Sequence, residues 1–211
     1  MNLLIDPLPE TVTVAGEQWP IRTSFRFGVL FEQLMGDGTL TGEEKIFQAL
    51  DLYYPACPPD LEGAVEALLW FYRCGEDQER EDRSGGLAGH RARAYDFDQD
   101  AALIYAAFRQ CYGLDLTAEE PHWWSFRALF TALPEDCRLS AVMGYRTADT
   151  KGMSREQKKF YAKMKKLCAL KTGADPAAAL SLAERDRRML AYVDQRFAEV
   201  EEARKGGDQT P

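Results

Sequence analysis

His122-Trp123-Trp124-Ser125-Phe126-Arg127-Ala128-Leu129-Phe130 carries four Trp or Phe side chains within nine residues. Trp123, Phe126 and Phe130 recur at the three- and four-residue spacing of one helix face, so the stretch predicts a helix. Adjacent helical residues point about 100° apart, so the two tryptophans reach beyond a single packing seam. Two interpretations stay open: the pair packs in a core, or Trp123, Trp124 and Phe126 bind a partner protein.

The same periodicity predicts further helices on both sides of this block. Ser24 is placed as the N-cap of the first helix, and the Thr41–Glu44 spacing is that of a capping box. Asp96 or Asp98 is expected to cap a later helix that Gly113 ends. The predicted helical spans are 25–35, 41–53, 60–73, 96–112, 117–133 and 154–171, and residues 139–145 are predicted to form a short helix or a turn.

A short β-hairpin is predicted near the start of the chain. Thr11-Val12-Thr13-Val14 alternates polar and apolar residues, a turn can follow at 15–18, and residues 19–23 can return. Because an isolated hairpin is marginal in water, it is expected to pack on helices or to extend the sheet of another subunit. The fold class is therefore mainly α, a compact multi-helix bundle with a short N-terminal β-hairpin and a C-terminal helical extension.

A change in composition divides the chain. Residues 75–93 combine a charged run with closely spaced glycines, which is typical of a flexible linker. This linker is expected to separate an N-terminal unit of hairpin and helices, residues 1–74, from a C-terminal helical unit, residues 94–171.

A helical extension with a frayed tail is predicted for residues 172–211. Its apolar residues form a narrow stripe surrounded by charged residues: Leu182, Met189, Val193, Phe197 and Val200. Such a stripe suits a helix docked along a groove or a two-helix seam. Met189, Val193 and Phe197 are therefore candidate partner-binding residues.

Charge is unevenly distributed along a chain whose formal net charge is −8. Residues 138–171 contain ten Lys or Arg and only two acidic residues. Much of this charge lies on one predicted helix, whose candidate binding residues are Lys158, Lys159, Lys163 and Lys166. Three interpretations stay open: a solvated basic face opposite a core-facing stripe that includes Phe160 and Leu167, a phosphate-binding patch, or a surface that docks onto an acidic partner.

No residue pattern indicates an enzyme. The five cysteines are dispersed and odd in number, which favours reduced thiols, and neither a paired Cys motif nor a phosphate-binding glycine loop is present. The two histidines, His90 and His122, do not complete a metal site or a convincing Cys-His nucleophile with Cys111 or Cys137. We therefore expect no enzymatic activity, no metal and no cofactor. Membrane insertion is not expected either, because no apolar run approaches the roughly 20 residues that span a bilayer.

Several sequence blocks together resemble one family. They are Tyr95-Asp96-Phe97-Asp98, the aromatic block at 122–130, Leu133-Pro134-Glu135-Asp136, Met143-Gly144-Tyr145-Arg146 and the basic stretch 153–170. The chain resembles the bacteriophage gene-product-fifteen family, small proteins encoded among the tail-morphogenesis genes of long-tailed phages and of prophages in Gram-positive bacteria. The resemblance covers roughly residues 1–170, so the extension goes beyond the shorter members.

This resemblance implies a phage tail morphogenesis factor in the host bacterial cytoplasm. Its partner would be the tape measure protein or another tail protein, which it would bind in a chaperone-like manner, and it could form a homo-oligomer. A tape measure protein is a long helical chain whose apolar stripes would aggregate before the tail tube encloses it. The alternatives are a minor structural tail component or a nucleic-acid-binding accessory protein that uses the basic helix 154–171. The acidic net charge disfavours nucleic acid as a partner.

Overall fold

The computed structural model of the protein describes residues 2–76 and 93–171. Within these ranges the chain forms a two-stranded antiparallel hairpin and seven helices, so the mainly α fold with a short hairpin is confirmed. The elements are β1 (Thr11–Val14), β2 (Glu17–Pro20), α1 (Phe25–Gly36), α2 (Gly42–Tyr53), α3 (Leu61–Tyr72), α4 (Ala101–Tyr112), α5 (Trp123–Thr131), α6 (Arg138–Thr147) and α7 (Arg155–Cys168). The predicted extension 172–211 and most of the predicted linker lie outside the described residues.

Capping side chains begin several helices where the sequence predicts them. The Ser24 side chain accepts a hydrogen bond from the backbone N–H of Arg26 at the start of α1. Both hydrogen bonds of the capping box between Thr41 and Glu44 form at the start of α2. Gly113 ends α4, as predicted.

The start of α4 differs from the prediction. Asp96 accepts the backbone N–H of Asp98 through Oδ1 and holds the following residues in a turn ahead of the helix. The N-cap position belongs to Asp100, whose side chain makes no capping bond because its carboxylate binds Arg146. The predicted cap at Asp96 or Asp98 is therefore wrong.

α5 begins at a histidine and not in the acidic stretch 117–120. His122 Nδ1 accepts the backbone N–H of Trp124 at 3.1 Å, and His122 Nε2 lies 3.0 Å from the carbonyl oxygen of Pro9. A ring that accepts at Nδ1 and donates at Nε2 is neutral. Burial lowers the pKa of His122, and the Pro9 carbonyl partly opposes this shift. The cap that starts the aromatic helix is thus a neutral imidazole.

The hairpin packs on a helix, which is one of the two arrangements that the sequence predicts for it. Ala15 and Gly16 form its turn with φ values of 50° and 84°, as a two-residue turn with both residues at positive φ requires. Val12 and Val14 point to the same face of β1, and both side chains are buried in the core. This core includes residues of α3, against which β1 lies.

One hydrophobic core joins the chain on both sides of the predicted linker. The backbone N–H of Trp123 donates to the carbonyl oxygen of Thr23 at 2.7 Å. The ring of Phe25 stacks on that of Phe126 with 4.9 Å between centroids. The two units that the sequence predicts along the chain therefore pack on each other and share their core.

The tryptophan pair lies at the centre of this core, with Trp123 0% and Trp124 1% exposed. The indole N–H of Trp123 donates to the carbonyl oxygen of Tyr72 at 2.8 Å, and that of Trp124 to the carbonyl oxygen of Phe71 at 2.7 Å. Both acceptors belong to the last turn of α3, where helix carbonyls lack intrahelical donors. The core interpretation of the pair is therefore the correct one, and Phe126 is buried with it.

The packing around Trp123 yields a first prediction. A Cβ added at Gly28 of α1 would overlap Cε3 of the Trp123 ring, whereas one added at Gly144 of α6 meets no atom within 4 Å. Gly28→Ala should therefore lower the free energy of unfolding by about 1–3 kcal/mol through overpacking. Gly144→Ala should raise it by up to about 1 kcal/mol, because alanine favours a helix.

Urea unfolding followed by circular dichroism measures both changes. If Gly28→Ala were as stable as Gly144→Ala, the close contact between α1 and Trp123 would be wrong.

Candidate partner-binding surface

α7 is the most exposed helix in the described part of the chain, and none of its residues is buried. Phe160 is 51% and Leu167 68% exposed, whereas Tyr161 and Met164 are half-buried. Tyr161 lies beside Tyr145 of α6, with 6.1 Å between ring centroids. The ring centroid of Phe160 lies 6.0 Å from that of the same Tyr145 ring, but Phe160 and Leu167 both stay more than half exposed. The prediction of one core-facing stripe is therefore wrong for these two residues.

The exposed lysines of α7 border this apolar strip on one side. Phe160 and Leu167 are seven residues apart and so lie on the same face, two turns from each other. Lys163 follows Phe160 by three residues and precedes Leu167 by four, so it neighbours both. Lys159 and Lys166 continue the row next to Lys163. We call these five residues the α7 surface.

Lys158 lies on a different face of α7 from the other three predicted lysines. It lies two residues before Phe160, on the far side of the helix from the apolar strip. It is exposed, like the lysines of the α7 surface. The predicted lysine set is thus brought together on one helix but divided between two of its faces.

A buried ion pair holds the C-terminal end of α7. Arg146 of α6 binds the carboxylate of Asp100 with both terminal nitrogens, at 2.6 and 2.9 Å. The two side chains are 8% and 4% exposed. Arg146 Nε also donates to the carbonyl oxygen of Cys168 at 2.6 Å, and Arg146 Nη1 donates to the carbonyl oxygen of Ala94 at 2.9 Å. One guanidinium group therefore connects α6, the start of α4 and the end of α7.

A second contact secures the same end of the helix. Gln99 donates through Nε2 to the carbonyl oxygen of Lys171 at 3.0 Å and accepts the backbone N–H of Lys171 at 2.7 Å. The N-terminal end of α7 is closed locally, because the side chains and backbone of Ser154 and Gln157 form a capping box. α7 is thus fixed in place while its outer face stays uncovered.

The remaining titratable residues form no recognisable reaction centre in residues 2–76 and 93–171. No group of three or more His, Cys, Asp or Glu in these ranges could hold a metal ion. The five cysteines are free thiols: Cys57, Cys74, Cys111, Cys137 and Cys168. The buried Glu32 accepts a 2.6 Å hydrogen bond from the hydroxyl of Tyr72, whose pKa is raised chiefly by burial and further by Glu32.

None of the helices that the structure describes is both long enough and apolar enough to cross a membrane.

A family model described as bacteriophage Gp15 protein matches residues 4–170 of the chain. The chain belongs to the bacteriophage Gp15 protein family. The resemblance in the sequence blocks is therefore confirmed, and the matched range of this Gp15 protein includes the hairpin, the Asp100–Arg146 pair and the whole of α7. Neither a comparison with curated proteins nor one with solved structures finds a match.

The structure changes the set of candidate binding residues in this Gp15 protein. Trp123, Trp124 and Phe126 are buried and cannot contact a partner on the surface of the folded chain. Phe160 and Leu167 enter the set, although helical periodicity alone cannot distinguish a stripe that faces a core from one that faces a partner. Met189, Val193 and Phe197 lie outside the described residues and stay a prediction.

The Asp100–Arg146 pair yields a second prediction. Asp100→Asn removes one charge of a buried pair and leaves the guanidinium without its counter-ion, so it should lower the free energy of unfolding by about 3 kcal/mol. The control is Glu120→Gln, which breaks an exposed ion pair with Arg26. The side chain of Glu120 is 62% exposed and that of Arg26 is 43% exposed. This change should cost less than about 1 kcal/mol.

Chemical denaturation measures both differences, and amide hydrogen exchange should show faster exchange in α7 for Asp100→Asn. Equal effects of the two substitutions would contradict a structural role for the buried pair.

Proposed function

We propose that this Gp15 protein is a phage tail morphogenesis factor that binds the tape measure protein as a chaperone-like partner. Membership of a bacteriophage protein family supports a role in the phage. The observation that carries the proposal is the α7 surface, where Phe160 and Leu167 are more than half exposed beside three exposed lysines. We place this activity in the host bacterial cytoplasm, with no enzymatic step, cofactor or membrane contact.

The chemistry of the α7 surface suits a helical partner. An amphipathic helix could lay its apolar side over Phe160 and Leu167, since exposed apolar strips bordered by polar residues are typical of protein-binding sites. Complete burial of each side chain would contribute on the order of 1–2 kcal/mol, because half or more of each is still exposed. Acidic residues beside the apolar stripe of the partner would meet Lys159, Lys163 and Lys166 and determine its orientation.

The net charge of −8 supports the same role. A negatively charged body keeps copies of a protein apart and soluble, whereas one basic helix attracts an acidic partner to a single place. A second copy of this acidic protein could also meet the α7 surface, which would give a homo-oligomer. Tape measure protein or another tail protein remains the partner we favour.

Nucleic acid is a second candidate partner, and the exposed lysines of α7 are the observation that favours it. Phosphate contacts need cations, but they do not need the exposed Phe160 and Leu167 beside them. DNA binding that falls steeply between low and physiological salt would support this alternative. A minor structural tail component is closer to our proposal and would be recognised by its presence in purified virions.

Co-expression with the tape measure protein of the same phage tests the proposal. We expect this chain to keep the tape measure protein soluble and to co-purify with it at moderate salt. Phe160→Ser combined with Leu167→Ser should weaken the complex at least tenfold, which corresponds to the loss of about 1.4 kcal/mol or more. Tyr105→Ser is the control, because Tyr105 is an exposed aromatic residue of α4.

Charge reversal tests the basic part of the α7 surface, whereas the Phe160 and Leu167 substitutions distinguish a protein partner from nucleic acid, which does not need these two residues. Lys159→Glu, Lys163→Glu and Lys166→Glu together should weaken the complex, whereas Lys151→Glu, which changes an exposed lysine ahead of α7, should not. Aggregation of the tape measure protein to the same extent with and without this chain would refute the chaperone role. Loss of binding in the Tyr105→Ser control would refute the assignment to α7.

A further inference from the structure

One edge of the hairpin has backbone groups that no strand covers. The backbone N–H of Ile21 donates to the carbonyl oxygen of Glu10 at 3.0 Å, in register with the pairing of Val12 with Trp19. In an antiparallel pair, hydrogen-bonded positions alternate with positions whose groups point away from the partner strand. The N–H and C=O groups of Thr11 and Thr13 therefore point away from β2, and no hydrogen bond within residues 2–76 and 93–171 uses them.

A groove of about 460 Å³ runs between β1 and α3. Residues 12–15 of the hairpin form one wall. The other wall consists of α3 residues and the residue before the helix: Asp60, Gly63, Glu66, Ala67 and Trp70. The groove is thus bordered on one side by the strand that has the free backbone edge. We call it the β1 groove.

The charged residues that line the β1 groove are all acidic. Asp60 and Glu66 are exposed carboxylates in its wall, and none of its lining residues is Lys, Arg or His. The half-buried Trp70 and Ala67 add an apolar floor beside them. The pattern is complementary to a segment that alternates basic and apolar side chains, because alternate residues of a strand point to opposite sides.

We propose that the β1 groove binds an extended segment of a partner protein that carries Lys or Arg, and that this segment adds a third strand to β1. Its backbone would pair with the free groups of Thr11 and Thr13, and its basic side chains would meet Asp60 and Glu66. Strand addition to an exposed sheet edge obtains affinity from main-chain hydrogen bonds and selectivity from side-chain contacts. β1 and α3 contribute no residue to the α7 surface, so this site is separate from the one proposed for the tape measure protein.

The opposite edge of the hairpin is less suited to a third strand. Pro20 lies across from Thr11 on β2 and has no N–H to donate. Proline at such an outward position is a common way to prevent pairing with another chain. β1 carries no such residue at Thr11 or Thr13, which leaves it as the edge that is open to a partner.

The test uses the full chain, labelled with ¹⁵N, and two synthetic peptides. One is acetyl-Val-Lys-Val-Lys-Val-Thr-amide, and the other has Glu in place of both Lys residues. The basic peptide should shift the amide signals of Thr11 and Thr13 in a saturable way and slow hydrogen exchange at Thr13. The acidic peptide should bind at least tenfold more weakly. Equal binding of the two peptides, or no shift at Thr13, would overturn the proposal.

Two pairs of variants locate the binding site. Thr13→Pro removes a donor on the open edge and should abolish binding, whereas Gln18→Pro, which removes the donor directly opposite on β2, should not.

Asp60 is the N-cap of α3 and accepts the backbone N–H of Gly63, so Asp60→Asn keeps a capping side chain. Combined with Glu66→Gln, it should weaken binding about two- to twentyfold, as expected for two exposed charge pairs. Glu62→Gln, an exposed residue of α3 outside the groove, should have no effect. Binding that survives both Thr13→Pro and the charge change would also overturn the proposal.

Discussion

The fold depends on two hydrogen bonds that join its halves, from the indole N–H groups of Trp123 and Trp124 to the last turn of α3. Their acceptors are the carbonyl groups of Tyr72 and Phe71 at the C-terminal end of α3, where the i+4 donors of a continuing helix are missing. Both rings are also fully buried in the hydrophobic core. α5 therefore satisfies the polar end of α3 and fills the core with the same two side chains.

The other core residues pack around these two tryptophan rings. α1 approaches Trp123 closely because Gly28 has no side chain at the contact. The ring of Phe126 lies between those of Phe25 and Phe108, with centroids 4.9 and 4.8 Å away. Since the interior already holds these aromatic residues, α7 has no part in it. It is attached through Arg146 and Gln99, and its outer face stays exposed to solvent.

Local signals in the sequence predict much of this structure. Ser24, the Thr41–Glu44 pair and Gly113 act within a single turn of chain, so their neighbours in the sequence determine their roles. The start of α4 is different, because the carboxylate of Asp100 binds Arg146, which is 46 residues away. No local pattern reveals such a partner.

The exposure of the α7 surface likewise cannot be predicted from a local sequence pattern. The apolar and basic pattern of α7 predicts a helix with two kinds of face, and the structure confirms the helix. Whether Phe160 faces the core or solvent depends on what the remaining chain has already buried. For the same reason the sequence leaves both interpretations of the Trp123–Trp124 pair open until the position of α3 is known.

Hydrogen exchange of the ¹⁵N-labelled full chain tests this account most directly, because it reports the indole and backbone N–H groups in one experiment. The indole N–H groups of Trp123 and Trp124 should exchange only on global unfolding, far more slowly than that of the half-buried Trp19. The backbone amides in the first turns of α7 should exchange much faster than those of α5. Indole exchange as fast as in Trp19, or amide protection in α7 equal to that in α5, would contradict a core built on the tryptophan pair with α7 outside it.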